Sequence, residues 1–529
     1  MANNSHLQQL NGQPEKEKLS FGYSSESIPQ YGSKVPVFKK ENDEDEEVII
    51  DGDYEREKGL GWFIAGLIIV GELAGGGIVA LPTAMIQTQF YPGLVLVVFM
   101  SFVLSFTAYC LGQSWAIMLR LFPEYRSHCR KPYPEIGYRA LGPVMKIIVS
   151  IFIDITLFGI CTVFLLLSSK NIQDFISAFF DVHVSYCILI LVVACCLLPM
   201  TFLKSPKDFW WAIVIAFITT AIAVIFVIIG AYFDYDTCQK HKALPGFNPE
   251  NYFLAFATIT FAYGGHSAFP TVQHDMKKPS DFSKSTTMAF FIVLFLYAPC
   301  CVLGPLVYGD SIRESIINSI QITWIQQVIN ISITLHIVLA VVLMFNPLNQ
   351  EAEEILGVPH SFGPKRVLVR FGMMAAVAFV AESVPQFGPL LDLVGGSLMA
   401  FTAIIFPALF YLFLSTKETM IREHRMKVAS RNFIPKISDI FRHTPKIRLV
   451  CCLGVIMIAL VGASAATYAA IKGLSGTHFH PPCYVSSFMG SQEHKTHLHT
   501  NMNCCGRYQN ISRFNDLSLC SEPDLYLYN

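Results

Sequence analysis

Three ionisable side chains stand out inside the long apolar stretches of this chain: Glu72, Asp154 and His266. An ionisable residue at membrane depth is costly and marks a functional position by default. Glu72 and Asp154 are acids able to take up and release a proton. His266 carries the group whose charge changes near neutral pH. Each also has a purely structural reading. Glu72 could bond to a neighbouring helix, Asp154 could pair with a polar group, and His266 could orient a break in the backbone. His336 is a weaker candidate and reads as a packed polar residue.

The elements that must position these groups are interrupted helices. Two residues beyond Glu72 the chain runs Ala74-Gly75-Gly76-Gly77-Ile78-Val79-Ala80-Leu81-Pro82-Thr83. Three consecutive glycines and a proline make a continuous helix costly there. His266 falls inside a second run, Ala262-Tyr263-Gly264-Gly265-His266-Ser267-Ala268-Phe269-Pro270-Thr271. The two runs share Ala, Gly-Gly, Ala and Pro-Thr in the same register. Paired Gly/Pro interruptions in corresponding halves point to the central site of a secondary transporter. The alternative is that the glycines only let helices pack closely.

Of the 529 residues, 53% are hydrophobic and 15% charged, where a soluble protein carries about a quarter charged. Mean hydropathy is +0.46. Apolar runs of about twenty residues recur, each long enough to cross a bilayer as a helix. The expected class is therefore an all-α polytopic membrane protein. A formal net charge of -1 gives no reason to expect nucleic acid. The first sixty residues are polar, so the first apolar helix is expected to act as its own insertion signal. About eleven spans are expected, roughly 61–87, 91–119, 143–168, 186–203, 209–232, 251–271, 288–308, 322–346, 367–384, 388–414 and 448–472. Residues 1–59, with the acidic run 41–47, read as a disordered tail. Residues 60–472 form the membrane domain, and 473–529 a second tail. The acids Glu351, Glu353, Glu354, Glu382 and Asp392 lie near span ends and are expected to face water.

Lys and Arg set the orientation. Loops after even-numbered spans carry Arg120, Arg126, Arg130, Lys131 and Arg139, then Lys204 and Lys207, then Lys277, Lys278 and Lys284, then Lys365 and Arg366. Loops after odd-numbered spans offer little beyond Lys170, Lys240, Lys242 and Arg313. The N-terminus is thus expected in the cytosol and the C-terminal tail outside or in a lumen. That tail holds the sequon Asn510-Ile511-Ser512, which can be glycosylated only on the outer side. Cys483, Cys504, Cys505 and Cys520 are disulfide candidates there, and Cys187 and Cys238 could pair beside outer loops. The histidines of the tail show no clean ligand spacing, so no metal is expected, and no cofactor.

With these motifs in place the chain resembles the amino acid/auxin permease family, also called the transmembrane amino acid transporter family. The matching residues are Gly75-Gly76-Gly77-Ile78-Val79-Ala80-Leu81-Pro82, Tyr133-Pro134-Glu135-Ile136-Gly137-Tyr138-Arg139-Ala140-Leu141-Gly142, Leu198-Pro199, Phe202-Leu203-Lys204-Ser205, Asn346-Pro347, Leu393-Val394-Gly395-Gly396-Ser397 and Phe406-Pro407. The run from Phe261 to Pro279 belongs with them. The resemblance covers about residues 60–472. It implies eleven helices, the first ten forming two inverted five-helix repeats of the leucine-transporter kind. Glu72 is a departure, since the family more often has Asn at the position of Gly71.

An amino acid zwitterion needs a seat for its carboxylate and another for its ammonium. Half-helix N-termini expose N–H groups for the first, and half-helix C-termini expose carbonyls for the second. The backbone from Ala74 through Gly75, Gly76 and Gly77 to Ile78 is expected to hold the carboxylate. Carbonyls of Phe261, Ala262, Tyr263 and Gly264 are expected to hold the ammonium. Glu72, Asp154 and His266 are the proton-coupling candidates. Sodium coupling would instead draw on the Ala74 carbonyl with the Ser332 and Thr334 hydroxyls, although such hydroxyls more often bond their own helix. The expected function is proton-coupled transport of small or medium neutral amino acids, at the plasma membrane or an endolysosomal or vesicle membrane. Its rivals are sodium coupling and a transporter-like nutrient sensor. An enzyme is not expected, because G-x-S-x-G, H-E-x-x-H and P-loop motifs are all missing.

Overall fold

The computed structural model describes residues 54–476 except 128, 181–183, 203–209, 239–245, 310–311, 360–361 and 425–431. Nearly all of the described chain is helical, and its one β-type pairing is an isolated bridge between Leu60 and Met276. The helices run α1 Trp62–Leu73, α2 Leu81–Gln87, α3 Tyr91–Leu121, α4 Pro132–Leu141, α5 Pro143–Phe180, α6 Tyr186–Met200, α7 Trp210–Cys238, α8 Pro249–Ala262 and α9 Phe269–His274. They continue as α10 Phe282–Tyr308, α11 Thr323–Ile355, α12 Pro364–Ser383, α13 Phe387–Val394, α14 Phe406–His424, α15 Ile437–His443 and α16 Lys446–Gly476. A π-helical stretch, Gly395–Ile405, joins α13 to α14 without a gap.

Seven described segments are long and apolar enough to cross a membrane, and α1 and α6 are shorter apolar helices. The difference from the expected eleven has local causes. The glycines cut two of the expected spans into short pieces, α1 with α2 and α8 with α9. The helix α12 carries Lys365, Arg366, Arg370 and Glu382 in its twenty residues. Along the bundle α11 packs on α5 and α7, α1 packs on α10 and α7, and α8 packs on α2, α16 and the π-helical stretch. The outer surface is apolar, with Phe102, Ile147, Phe291, Phe295, Val450 and Val461 exposed, as lipid contact requires.

Two expectations are corrected. Glu353, Glu382 and Asp392 are buried rather than water-facing. Glu353 is drawn inward by Arg366 and Arg370, whose Nε atoms lie 3.0 and 2.6 Å from its Oε1. Asp392 accepts a 2.6 Å hydrogen bond from Thr258 on α8. A charge so withdrawn from water must be paired or hydrogen-bonded. The packed chain also begins before residue 60. The Arg56 and Leu60 N–H groups donate to the carbonyls of Lys277 and Asp275, and the Lys277 N–H donates back to Leu60. This strap of residues 54–60 ties the start of α1 to the end of α9. The expected sequon at Asn510, the cysteines Cys483, Cys504, Cys505 and Cys520, and Lys204, Lys207, Lys240 and Lys242 lie outside the described residues.

Candidate functional site

The first break follows from backbone chemistry. α1 ends at Leu73, a 3-10 turn occupies Gly76–Val79, and α2 begins with Pro82 in its first turn. Proline there loses no hydrogen bond, because the first N–H groups of a helix have no partner anyway. The N–H groups of Gly76 and Gly77 open the 3-10 turn and form no hydrogen bond with described residues. The second break separates α8 from α9, which again starts with a proline, Pro270. The two breaks touch. A Cβ placed on Gly77 would sit 2.5 Å from Ala262 Cα, so only glycine allows this approach.

Beside the contact lies a narrow cavity lined by Glu72, Leu73, Gly75, Gly76, Gly77, Ile160, Phe164, Phe261, Gly264, Gly265, Met344 and Met399. The lining comes from the ends of α1 and α8, both breaks, α5, α11 and the π-helical stretch. Glu72 is the one ionisable side chain in this lining. It forms no hydrogen bond or ion pair with described residues, and its Cγ lies 3.1 Å from where a Gly265 Cβ would be. The remaining side chains are aliphatic, aromatic or thioether. Phe164 and Phe261 meet edge to face at 6.4 Å.

The sequence candidates separate into distinct groups. Gly75, Gly76, Gly77, Phe261, Gly264 and Glu72 line the cavity, whereas Ile78 is buried away from it. Tyr263 contributes backbone to the break while its ring turns outward onto Phe290 and Tyr297. His266 is fully buried behind the second break. Its Nε2 lies 3.1 Å from the Leu104 carbonyl and 3.2 Å from the Thr107 hydroxyl. Its Nδ1 has no partner among described residues. Asp154 does not line the cavity; its charged neighbours on α5's side of the bundle are Lys131 and Glu351. Ser332 is buried and Thr334 half-buried on α11, and neither bonds the Ala74 carbonyl. That carbonyl accepts a 2.9 Å hydrogen bond from Thr220 on α7. Cys187 is disulfide-bonded, and Cys238 is buried at the end of α7.

Two residues of the site escape a reading of sequence alone. Thr220 is one. The other is Tyr297 on α10, whose hydroxyl lies 2.7 Å from the carbonyl oxygens of both Leu73 and Ala262. A buried hydroxyl in a membrane helix signals a polar contact, but its partner is set by packing over long sequence separations. His336, the weaker candidate, is a packed polar residue: its Nδ1 lies 2.9 Å from both the Ala216 carbonyl and the Thr220 hydroxyl. Its Nε2, without a partner among described residues, faces Gly75 at 3.0 Å from a Cβ built there.

These features define a class: a helix-bundle membrane protein with a small central cavity at two touching helix breaks. The chain belongs to the transmembrane amino acid transporter family, whose sequence pattern, described as "Transmembrane amino acid transporter protein", matches residues 58–435. It is 26% identical over 405 residues to Amino acid transporter AVT1J of Arabidopsis thaliana, covering 73% of this chain and 90% of that one. It is 26% identical over 356 residues to Amino acid transporter AVT1H of the same plant, covering 65% and 79%. With Lysine histidine transporter-like 4, also from Arabidopsis thaliana, it shares 24% identity over 379 residues, covering 67% and 80%. The family is one of transporters rather than enzymes.

Proposed function

We propose that this protein is a secondary active transporter of small or medium neutral amino acids, coupled to protons, working by alternating access around its two breaks. The carrying observation is the unpaired Glu72 carboxylate facing the cavity next to the free N–H groups of Gly76 and Gly77. The N–H groups suit the substrate carboxylate, and the half-helix ends at Leu73 and Ala262 suit its ammonium. The apolar remainder of the lining suits an uncharged side chain. In this reading ten of eleven membrane helices form two inverted repeats, the ends bearing the Lys/Arg-rich loops face the cytosol, and the membrane is plasma, endolysosomal or vesicular.

Protons are favoured over sodium because Glu72 lines the cavity, whereas Ser332 and Thr334 stay apart from the Ala74 carbonyl, which meets Thr220 of α7 instead. Glu72 is the proposed proton carrier, with Asp154 and His266 in supporting roles outside the cavity. The test is uptake of labelled amino acids into proteoliposomes under imposed proton or sodium gradients, for wild type and Glu72→Gln. The expected result is accumulation driven by protons, lost in Glu72→Gln while exchange of substrate persists. Accumulation driven by sodium alone, unchanged in Glu72→Gln, would overturn the reading.

A further inference from the structure

Tyr297 is fully buried on α10, and its hydroxyl oxygen stands 2.7 Å from two carbonyl oxygens at once. Those carbonyls belong to Leu73, the last residue of α1, and Ala262, the last residue of α8. Each terminates a helix and so carries the partial negative charge of that helix end. The two oxygens can be no farther apart than twice the Tyr297 distance. Two like partial charges held this close in an apolar interior repel one another unless a donor sits between them. Tyr297 provides that donor.

A phenol has a single proton. At any instant Tyr297 donates to one carbonyl and leaves the other with a lone pair open. We propose that Tyr297 is a positioning residue that fastens the two half-helix ends together and presents one of them, with its free lone pair, to the substrate's ammonium. This rests on the transport reading above. When the ammonium docks on one carbonyl, the tyrosine hydroxyl commits to the other, and both acceptors become satisfied. The Leu73 carbonyl also accepts from the Gly75 N–H at 2.8 Å, so Ala262 is the carbonyl left without a partner among the described residues whenever the hydroxyl turns to Leu73. Tyr263 supports the geometry by packing its ring edge-on against Tyr297 at 5.0 Å. The Gly77–Ala262 contact keeps the two ends at this spacing from the other side.

Tyr297→Phe removes the hydroxyl and keeps the ring. The first measurement is hydrogen–deuterium exchange of the full chain in nanodiscs. Amides in 74–80 and 263–268 should exchange about tenfold faster in Tyr297→Phe, both together, with α16 unchanged; that is the factor expected for one hydrogen bond of ordinary net strength. Acceleration of one break alone, or of neither, would overturn the fastening. The second measurement compares uptake of an amino acid with that of its 2-hydroxy analogue, which lacks the ammonium. KM for the amino acid should rise about tenfold in Tyr297→Phe while KM for the hydroxy acid stays put. A merely supportive tyrosine would instead lower Vmax for both and leave the preference intact, which would overturn the ammonium assignment. Wild type taking up neither compound would refute transport itself, and the exchange data would still decide the fastening.

Discussion

The contact between the two breaks allows a quantitative test through Gly77→Ala. The new methyl would lie 2.5 Å from Ala262 Cα, 2.7 Å from its Cβ and 3.2 Å from its N. Carbon atoms in ordinary contact sit about 3.5–4.0 Å apart, so the breaks must separate by about 1 Å. The obstructing atoms are backbone and a rigid Cβ, so no side-chain rotation relieves them. Overpacking of this kind costs about 1–3 kcal/mol, or about 5- to 150-fold in the population of the state where the breaks touch. Gly76→Ala is the matched control. Its methyl would meet Phe164 Cε1 at 3.0 Å and Leu167 Cδ2 at 3.3 Å, both ends of side chains that can turn. Thermal unfolding in detergent should therefore rank the proteins wild type, Gly76→Ala, Gly77→Ala, with the large step at the end, and Gly77→Ala should also lose uptake in proteoliposomes. Gly77→Ala with wild-type stability and uptake would refute the claim that the breaks work in direct contact.

Two further outcomes follow from the same geometry. Thr220→Val leaves the Ala74 carbonyl buried without its donor, a loss of about 1–3 kcal/mol, and should depress uptake, while Ser332→Ala should not; the reverse order would restore the sodium reading. Outside the membrane-spanning segments, burial pushes the Cys129 thiol up to about 11. Only about a thousandth of it is thiolate at pH 8, so maleimide labelling should quicken about tenfold per pH unit from 8 to 10, and a rate already flat above pH 9 would show an ordinary thiol.

Much of this site was legible because its signals are local. Glycines before a proline, three in the first half and two in the second, describe a backbone that cannot stay helical, and both breaks fell where that pattern lies. Glu72 was legible for the same reason: a carboxyl in an apolar run needs no partner to be noticed. Tyr297 and Thr220 were not, because their roles come from atoms far away in the chain. The Tyr297 hydroxyl reaches Leu73, and Thr220 reaches Ala74. Composition treats each as one polar residue in an apolar helix. Burial of Glu353 was missed similarly, since position near a helix end suggests water, and its two arginines arrive from α12.

The strap of residues 54–60 gives the two broken segments a mechanical character. Three backbone hydrogen bonds pin the start of α1 to the end of α9, while the inner end of α1 is pinned to the end of α8, where Gly77 meets Ala262 and Tyr297 bridges the carbonyls. The first broken segment is thus fastened at one end to α9 and at the other to α8, so the two broken segments are tied to tilt together rather than to splay. Parting the outer fastening means giving up three hydrogen bonds at about 0.5–1.5 kcal/mol each. The ion pairs of Glu55 with Lys277 and Lys278, at 3.7 and 3.4 Å and solvent-exposed, add little. A bound molecule can part this fastening only to the extent that it binds the parted state more tightly than the fastened one. A preference of a few kcal/mol between the two states, the size of the three hydrogen bonds, is therefore what opening the strap requires.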